Sequence, residues 1–285
     1  ALDMARLKEI TAKTYSSDEK TAEAEVLSDM MASRLPGQTG RPSVEALLHA
    51  LFPQKYVVHL HPAIVNGLTC SNDGKKAFDR VFGDTAVWLD ELKPGYTLAM
   101  ASLRAMEKYR AENGRDLSLL VMQNHGIFFA ADSAEQIKVL ISGVFSKLEK
   151  EIKSRPDMSE AVTDRGFAAA LAPAVRALVC PKGASEFFTA ASLSESVRGM
   201  PDGVCAFTPD HIVYCGHKFC AVQKANDIEE QYRLLEQAIK AYREENGAAP
   251  KIVCVDGLGA FACGAGVRGG DGGLQPRDRV DAVTD

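Results

Sequence analysis

Two histidines stand one residue apart near the end of an apolar run, "KYVVHLHPAIVNG" (residues 55–67), and Pro62 follows them directly. Side chains alternate along a strand with period 2, so His59 and His61 face the same way with Cα atoms roughly 6–7 Å apart. That spacing lets both rings converge on a metal that takes imidazole nitrogen at about 2.0–2.1 Å. The competing reading is two half-buried polar residues at a strand end. His125, in "LSLLVMQNHGIFFAA", breaks a second apolar run beside Gly126, the kind of break at which a fold presents a ligand at a sheet end. With His59 and His61 it makes a three-nitrogen site that leaves positions open for substrate. Glu45 lies at the start of the helical segment "SVEALLHALFP", which leads into the His59 strand. Its carboxylate is placed either to approach the metal or to serve as a general base.

The elements that must position these residues follow an α/β pattern. Residues 17–35 read as an amphipathic helix with Ala22, Val26, Met30 and Leu35 near helical spacing, then "PGQTGRP" is a loop. Ser43 is the expected N-cap of the next helix, with Glu45 in its first turn and Pro53 closing it. "TAVWLDELKPGYTLAMASLRAMEKYRAENG" gives a short strand, a Pro94-Gly95 turn and a helix stopped by Gly114. "LSLLVMQNHGIFFAA" reads as one strand interrupted at Asn124-His125-Gly126. Ser133 opens a long helix, with Gln136 completing a capping box, that runs to about Lys153 and ends before Pro156. Strands alternating with helices at this spacing indicate a layered α/β domain.

After Pro156 the expected order is a helix near 160–178, a polar segment, the strands "DHIVYCG" and "FCAVQ", a helix from Asp227 to about Glu245, and a last strand "KIVCVDG". "KIVCVDGLGAFACG" echoes "LLVMQNHGIFFAAD", with Leu258 where His125 stands. Residues 265–285 are rich in glycine and charge without apolar periodicity, and disorder is expected there.

Composition removes several function classes. The chain has 285 residues, 46% hydrophobic and 25% charged, with a net charge of −5, which gives no electrostatic footprint for nucleic acid or an anionic membrane. No apolar run approaches the ~18 residues of a membrane helix, and "ALDMARLKEITAK" lacks the apolar core of a signal peptide. Seven cysteines, an odd number without a C-x-x-C pair, point to reduced thiols and a cytoplasmic location.

Other candidate sites are weaker. His49 lies on the same helical face as Glu45, where a lone helical histidine is usually structural. His211, Cys215, His217 and Cys220 lack the tight paired spacing of structural zinc. Gly257 and Gly259 follow a strand, but the next glycine, Gly264, comes too late for a dinucleotide-binding turn. "HLHP" also lacks the x-D-H continuation of metallo-β-lactamases.

"RPSVEALLHALFP", "YVVHLHPAIVNGLTC", "ELKPGYTLA" and "MQNHGIFFA" resemble, in order and spacing, successive motifs of the class II aldolase/adducin family over roughly residues 15–155. The subgroup they resemble most is the aldolase part of bifunctional rhamnulose-1-phosphate aldolase/short-chain dehydrogenase proteins, and residues 158–262 look like the extension that follows the aldolase core there. The resemblance implies a three-layer α/β/α domain over residues 1–156, a second, smaller α/β unit over 157–264, and the tail. It assigns His59, His61 and His125 as ligands of Zn2+ or another divalent transition metal, and Glu45 as the catalytic acid/base. The implied activity is that of a metal-dependent aldehyde-lyase cleaving a ketose 1-phosphate through an enediolate, whose charge a divalent ion stabilises. The substrate is then a small sugar phosphate and the assembly a homo-oligomer, up to a tetramer. A Schiff-base route needs a buried lysine, and Lys55, Lys218 and Lys251 sit at strand edges. Epimerase or dehydratase chemistry on the same site, and a non-catalytic adducin-like interaction domain, are the alternatives. The family's phosphate-binding Gly-Asn-x-Ser loop has no match before residue 40, so the chain is expected to begin just downstream of that region or to hold phosphate differently.

Overall fold

The computed structural model describes residues 1–162, 164–184, 187–200 and 204–265. The chain divides into two compact units, Ala1–Glu151 and Ile152–Asp285. The first contains α1 (Met4–Ala12), α2 (Glu19–Ala32), α3 (Ala46–Leu51), β1 (Tyr56–Leu60), α4 (Ala63–Thr69), α5 (Gly74–Phe82), β2 (Val87–Leu89), α6 (Tyr96–Asn113), β3 (Leu119–Met122), β4 (Gly126–Ala131) and α7 (Ala134–Glu149).

Its sheet has the order β1-β4-β3-β2, with β4 antiparallel to both neighbours and β2 parallel to β3. The central strands β3 and β4 are buried along their whole length, which explains their nearly unbroken apolar sequence. Period-2 alternation divides their side chains between two cores. Leu120, Met122, Phe128 and Ala130 pack with α1, α2, α3 and α6. Leu119, Val121, Ile127, Phe129 and Ala131 pack with α4, α5 and α7. Helices therefore cover both faces, giving the expected three layers.

Several local features depart from the sequence reading. "LSLLVMQNHGIFFAA" is not one interrupted strand but an antiparallel hairpin, because Asn124 takes a left-handed conformation (φ 54°) that reverses the chain. Glu45, not Ser43, occupies the N-cap of α3, while the Ser43 hydroxyl accepts the Glu45 N–H at 3.2 Å. Helices α1, α4 and α5 have no counterpart in the sequence reading. Asp3 caps α1 by accepting the Ala5 and Arg6 N–H groups, and Pro62 supplies the extended residue that opens α4. At α6 the Glu23 carboxylate accepts the Tyr96 N–H, and Gly95 leaves room for it, since a Cβ there would lie 2.7 Å from Glu23 Oε1.

The second unit contains α8 (Arg165–Val179), β5 (Phe188–Ser192), α9 (Glu195–Arg198), β6 (Cys220–Val222), α10 (Ile228–Asn246), β7 (Ile252–Val255) and β8 (Gly259–Gly264). Its sheet has the order β5-β8-β7-β6 with the same strand directions as the first. "KIVCVDG" is thus followed by a further strand, and β5 lies within the stretch read as a polar segment. "DHIVYCG" is not a strand. His211–Cys215 forms a π-helical turn that buries His211 and Cys215 and leaves Ile212, Val213 and Tyr214 exposed. The expected disordered tail lies outside the described residues apart from Ala265. Among the described residues no helix is long and apolar enough to cross a membrane.

Candidate metal centre

Four residues from three separate places in the chain meet at one end of the first sheet. Glu45 comes from the start of α3, His59 from β1, His61 from the residue after β1, and His125 from the β3–β4 turn. One ligand atom of each lies within 4.8 Å of all the others. Among the described residues this is the one grouping of three or more His, Cys, Asp or Glu side chains with metal-ligand geometry.

Strand pairing fixes the first imidazole. His59 lies opposite Phe128 on β4, and its ring stacks on the Phe128 ring with centroids 4.1 Å apart. His59 Nδ1 lies 3.2 Å from the Ile127 carbonyl oxygen, which can only accept, so Nδ1 carries the proton and Nε2 keeps its lone pair. His61 Nε2 lies 2.8 Å from that Nε2. The His61 and His125 ring centroids are 5.0 Å apart. His125 Nε2 sits 2.9 Å from Glu45 Oε1, and His59 Nε2 lies 3.5 Å from the same oxygen.

Neighbouring residues hold this arrangement. Asn66 donates from Nδ2 to the His61 carbonyl at 3.4 Å, and the Thr69 hydroxyl donates to Asn66 Oδ1. The "PAIVNGLT" helix thereby anchors the backbone that carries His61. Gly126 lies against the histidine pair, and a Cβ there would collide with His61 Cδ2 and the Leu60 carbonyl oxygen.

The electrostatics suit a cation. The His59 and His125 side chains are only 7% and 10% exposed, against 25% for Glu45. The His125 N–H holds the Glu45 carboxyl well below the usual carboxylate range despite its burial. Burial lowers His59 below the ordinary histidine value, partly opposed by Glu45. Near neutral pH the cluster therefore presents an anionic carboxylate and a neutral His59, the form in which imidazole ligates a metal.

All four residues singled out in the sequence thus come together. His49 lies nearby as packing: it sits edge-on to His59 at 6.5 Å and to Phe128 at 5.1 Å, and burial lowers its pKa. His211 and Cys215 belong to the π-helical turn of the other unit. None of the seven cysteines forms a disulfide, and burial pushes Cys220 up to about 11. Lys218 pairs with Glu245, and Lys251 donates to the Val213 carbonyl at the surface. The sequence reading gave no role to Asn124, the residue before His125, or to Glu91, which pairs with it. Asn124 Nδ2 donates to Glu91 Oε2 at 2.8 Å, and the Glu91 N–H donates to Gln123 Oε1 at 3.1 Å. The signal for them was the non-glycine residue at the point where the chain must reverse.

Comparison with known proteins gives three findings. Residues 5–144 match the Class II Aldolase and Adducin N-terminal domain. "Uncharacterized oxidoreductase YuxG" of Bacillus subtilis (strain 168) is 28% identical over 120 residues, covering 42% of this chain. The chain spans only 17% of that curated relative's length. A solved structure, the N-terminal class II aldolase domain of a conserved protein from Thermoplasma acidophilum, is 22% identical with a TM-score of 0.44. That match covers 53% of this chain and 65% of the other.

Proposed function

From the premise that residues 5–144 belong to the class II aldolase and adducin family, we propose that this protein is a metal-dependent aldehyde-lyase. Its substrate class is a ketose 1-phosphate or related hydroxy-ketone, and its centre is Glu45, His59, His61 and His125. The observation that supports this reading is the convergence of three imidazoles and one carboxylate within 4.8 Å at a largely buried sheet end.

The donor set fits a divalent transition metal, and zinc is the ion we assign. Three histidine nitrogens with room left over are a common catalytic zinc set, and the Ile127 carbonyl orients His59 in the way outer hydrogen bonds orient metal-bound imidazoles. A divalent ion held by His59, His61 and His125 supplies Lewis-acid stabilisation of negative charge on the oxygens beside the breaking bond. The remaining work belongs to the chain. Glu45, anionic at neutral pH, takes the proton from the substrate hydroxyl during cleavage and returns it in condensation. The stacked Phe128 and the surrounding core keep water from the histidine face. Retention of all four chemistry-bearing residues favours catalysis over an interaction-only role. Cysteines without disulfides accord with a cytoplasmic location, and assembly as a homo-oligomer, up to a tetramer, belongs to the same reading.

The test compares wild type with Glu45→Gln at matched zinc occupancy, following cleavage of ketose 1-phosphates through the three-carbon ketone product. The amide is nearly isosteric but takes up no proton near neutral pH, so turnover should fall by about 10²–10⁴-fold with zinc retained. Zinc-free wild-type protein, or a Glu45→Gln variant at full rate, would overturn the assignment. An epimerised or dehydrated product in place of cleavage would move the reaction class while keeping the site.

A further inference from the structure

The residue before His125 adopts a left-handed conformation that asparagine tolerates better than most side chains and that glycine adopts freely. Asn124 is the one non-glycine residue with positive φ among the described residues. The second unit shows what the same turn looks like without asparagine. There the β7–β8 reversal places Gly257 (φ 65°) where Asn124 stands, Leu258 where His125 stands and Gly259 where Gly126 stands. The backbone bonds correspond as well. His125 N–H donates to the Met122 carbonyl and Leu258 N–H to that of Val255, while Gln123 N–H donates to Leu89 and Asp256 N–H to Val222. Glycine adopts this conformation without steric penalty, so the reversal itself does not call for asparagine.

The Asn124 side chain instead reaches across to Glu91, whose own N–H is held by Gln123 Oε1. The Asn124 N–H also donates to the Thr69 carbonyl at the end of α4, the helix that anchors His61. In the second unit the residue two places beyond the parallel strand is Lys224 where the first has Glu91. Histidine, asparagine and glutamate are thus all present at one turn and all absent at its counterpart. We propose that Asn124 and Glu91 form a positioning clamp that fixes the β3–β4 turn so that His125 is aimed at His59, His61 and Glu45. The clamp rests on the reading of those four residues as a metal centre, and neither Asn124 nor Glu91 is a ligand.

The experiment titrates the full chain with Co2+ and follows its visible absorption bands, alongside thermal melting, for wild type, Asn124→Gly, Glu91→Ala and Glu91→Gln. Supporting residues around a metal site are typically worth 10–100-fold in affinity. Asn124→Gly should melt at or above the wild-type temperature, since strain is relieved, yet bind Co2+ at least tenfold more weakly with altered bands. Glu91→Ala should show the same loss. Glu91→Gln keeps an amide oxygen to accept the Asn124 N–H and should stay within a few-fold of wild type. Because Glu91 is exposed, its two variants decide the matter even if Asn124→Gly lowers the melting point. Wild-type affinity and spectrum in both Asn124→Gly and Glu91→Ala overturn the clamp alone. A Glu91→Gln loss as large as that of Glu91→Ala also overturns it, assigning the effect to charge. Wild-type protein that binds no Co2+ removes the metal centre itself, and the clamp with it.

Discussion

At Gly126 the absence of a side chain is what permits two histidine rings to lie against β4. Its Cβ would enter the space of His61 Cδ2 and the Leu60 carbonyl, and His59 Cε1 would be 3.4 Å away. Backbone and a ring locked by neighbours cannot yield cheaply, so Gly126→Ala should displace His61. We expect a loss of about 1–3 kcal/mol in stability, typical of overpacking, together with at least a tenfold loss in zinc affinity. Gly67→Ala in α4, where a Cβ meets nothing within 4 Å, is the matched control and should change affinity little. Zinc competition titration and urea unfolding of the two variants check both numbers. An unperturbed Gly126→Ala would mean that the His61 ring has another resting place. This scale was largely legible in the sequence. The H-x-H spacing is a direct consequence of strand period, and His125 stood out as a polar break in an apolar run. The Gly126 requirement was not legible, because it depends on which strand lies opposite.

Among the elements, α7 was legible at its start and shows how little of the site depends on it. The Ser133 hydroxyl accepts the Gln136 N–H, and the Gln136 side chain accepts the Ser133 N–H, completing the expected capping box. The helix packs on the face of the sheet opposite Phe128 and contributes none of the four cluster residues. Two substitutions there should therefore move stability in opposite directions and leave zinc affinity alone. Ser133→Ala should cost about 1 kcal/mol through loss of the cap. Gly143→Ala, mid-helix with nothing within 4 Å of the new Cβ, should stabilise by about 0.4–1 kcal/mol. Urea midpoints of both variants read the sign directly, and a Gly143→Ala variant less stable than wild type would show that the helix interior is not free there. The elements the sequence concealed had physical reasons to be hidden. The cap of α3, a helix the sequence did show, falls on Glu45 because the Ser43 hydroxyl accepts the Glu45 N–H locally instead of capping the helix. "HIVYC" has strand-like composition, yet His211 and Cys215 are buried while Val213 between them is exposed, which breaks the period-2 alternation of a strand and fits helical spacing.

Among the described residues there is one such metal-ligand cluster but two sheets of the same plan. Beyond strand order, the helices preceding the third strands end alike. Asn113 and Asn246 donate from Nδ2 to the Tyr109 and Tyr242 carbonyls, and Gly114 and Gly247 follow in left-handed conformation, with φ 66° and 69°. Register places Ala191 opposite Phe261 as His59 lies opposite Phe128. The counterparts of His59, His61 and His125 are thus Ala191, Leu193 and Leu258, none with a ligand atom. The sequence echo was faint because the replaced positions are the ones that made the first unit recognisable. We therefore expect one zinc per chain, lost in His59→Ala/His61→Ala with far-UV circular dichroism retained, since catalytic sites are less essential to folding than structural ones. The segment around Lys153 and Arg155 is exposed and irregular, so brief trypsin treatment should separate the two units there. Each unit has its own apolar cores, and the zinc should remain with the fragment that begins at Ala1. Two zinc ions per wild-type chain, or zinc carried by the later fragment, would put a metal site in the second unit, where the π-helical turn with His211 and Cys215 offers the nearest ligand types.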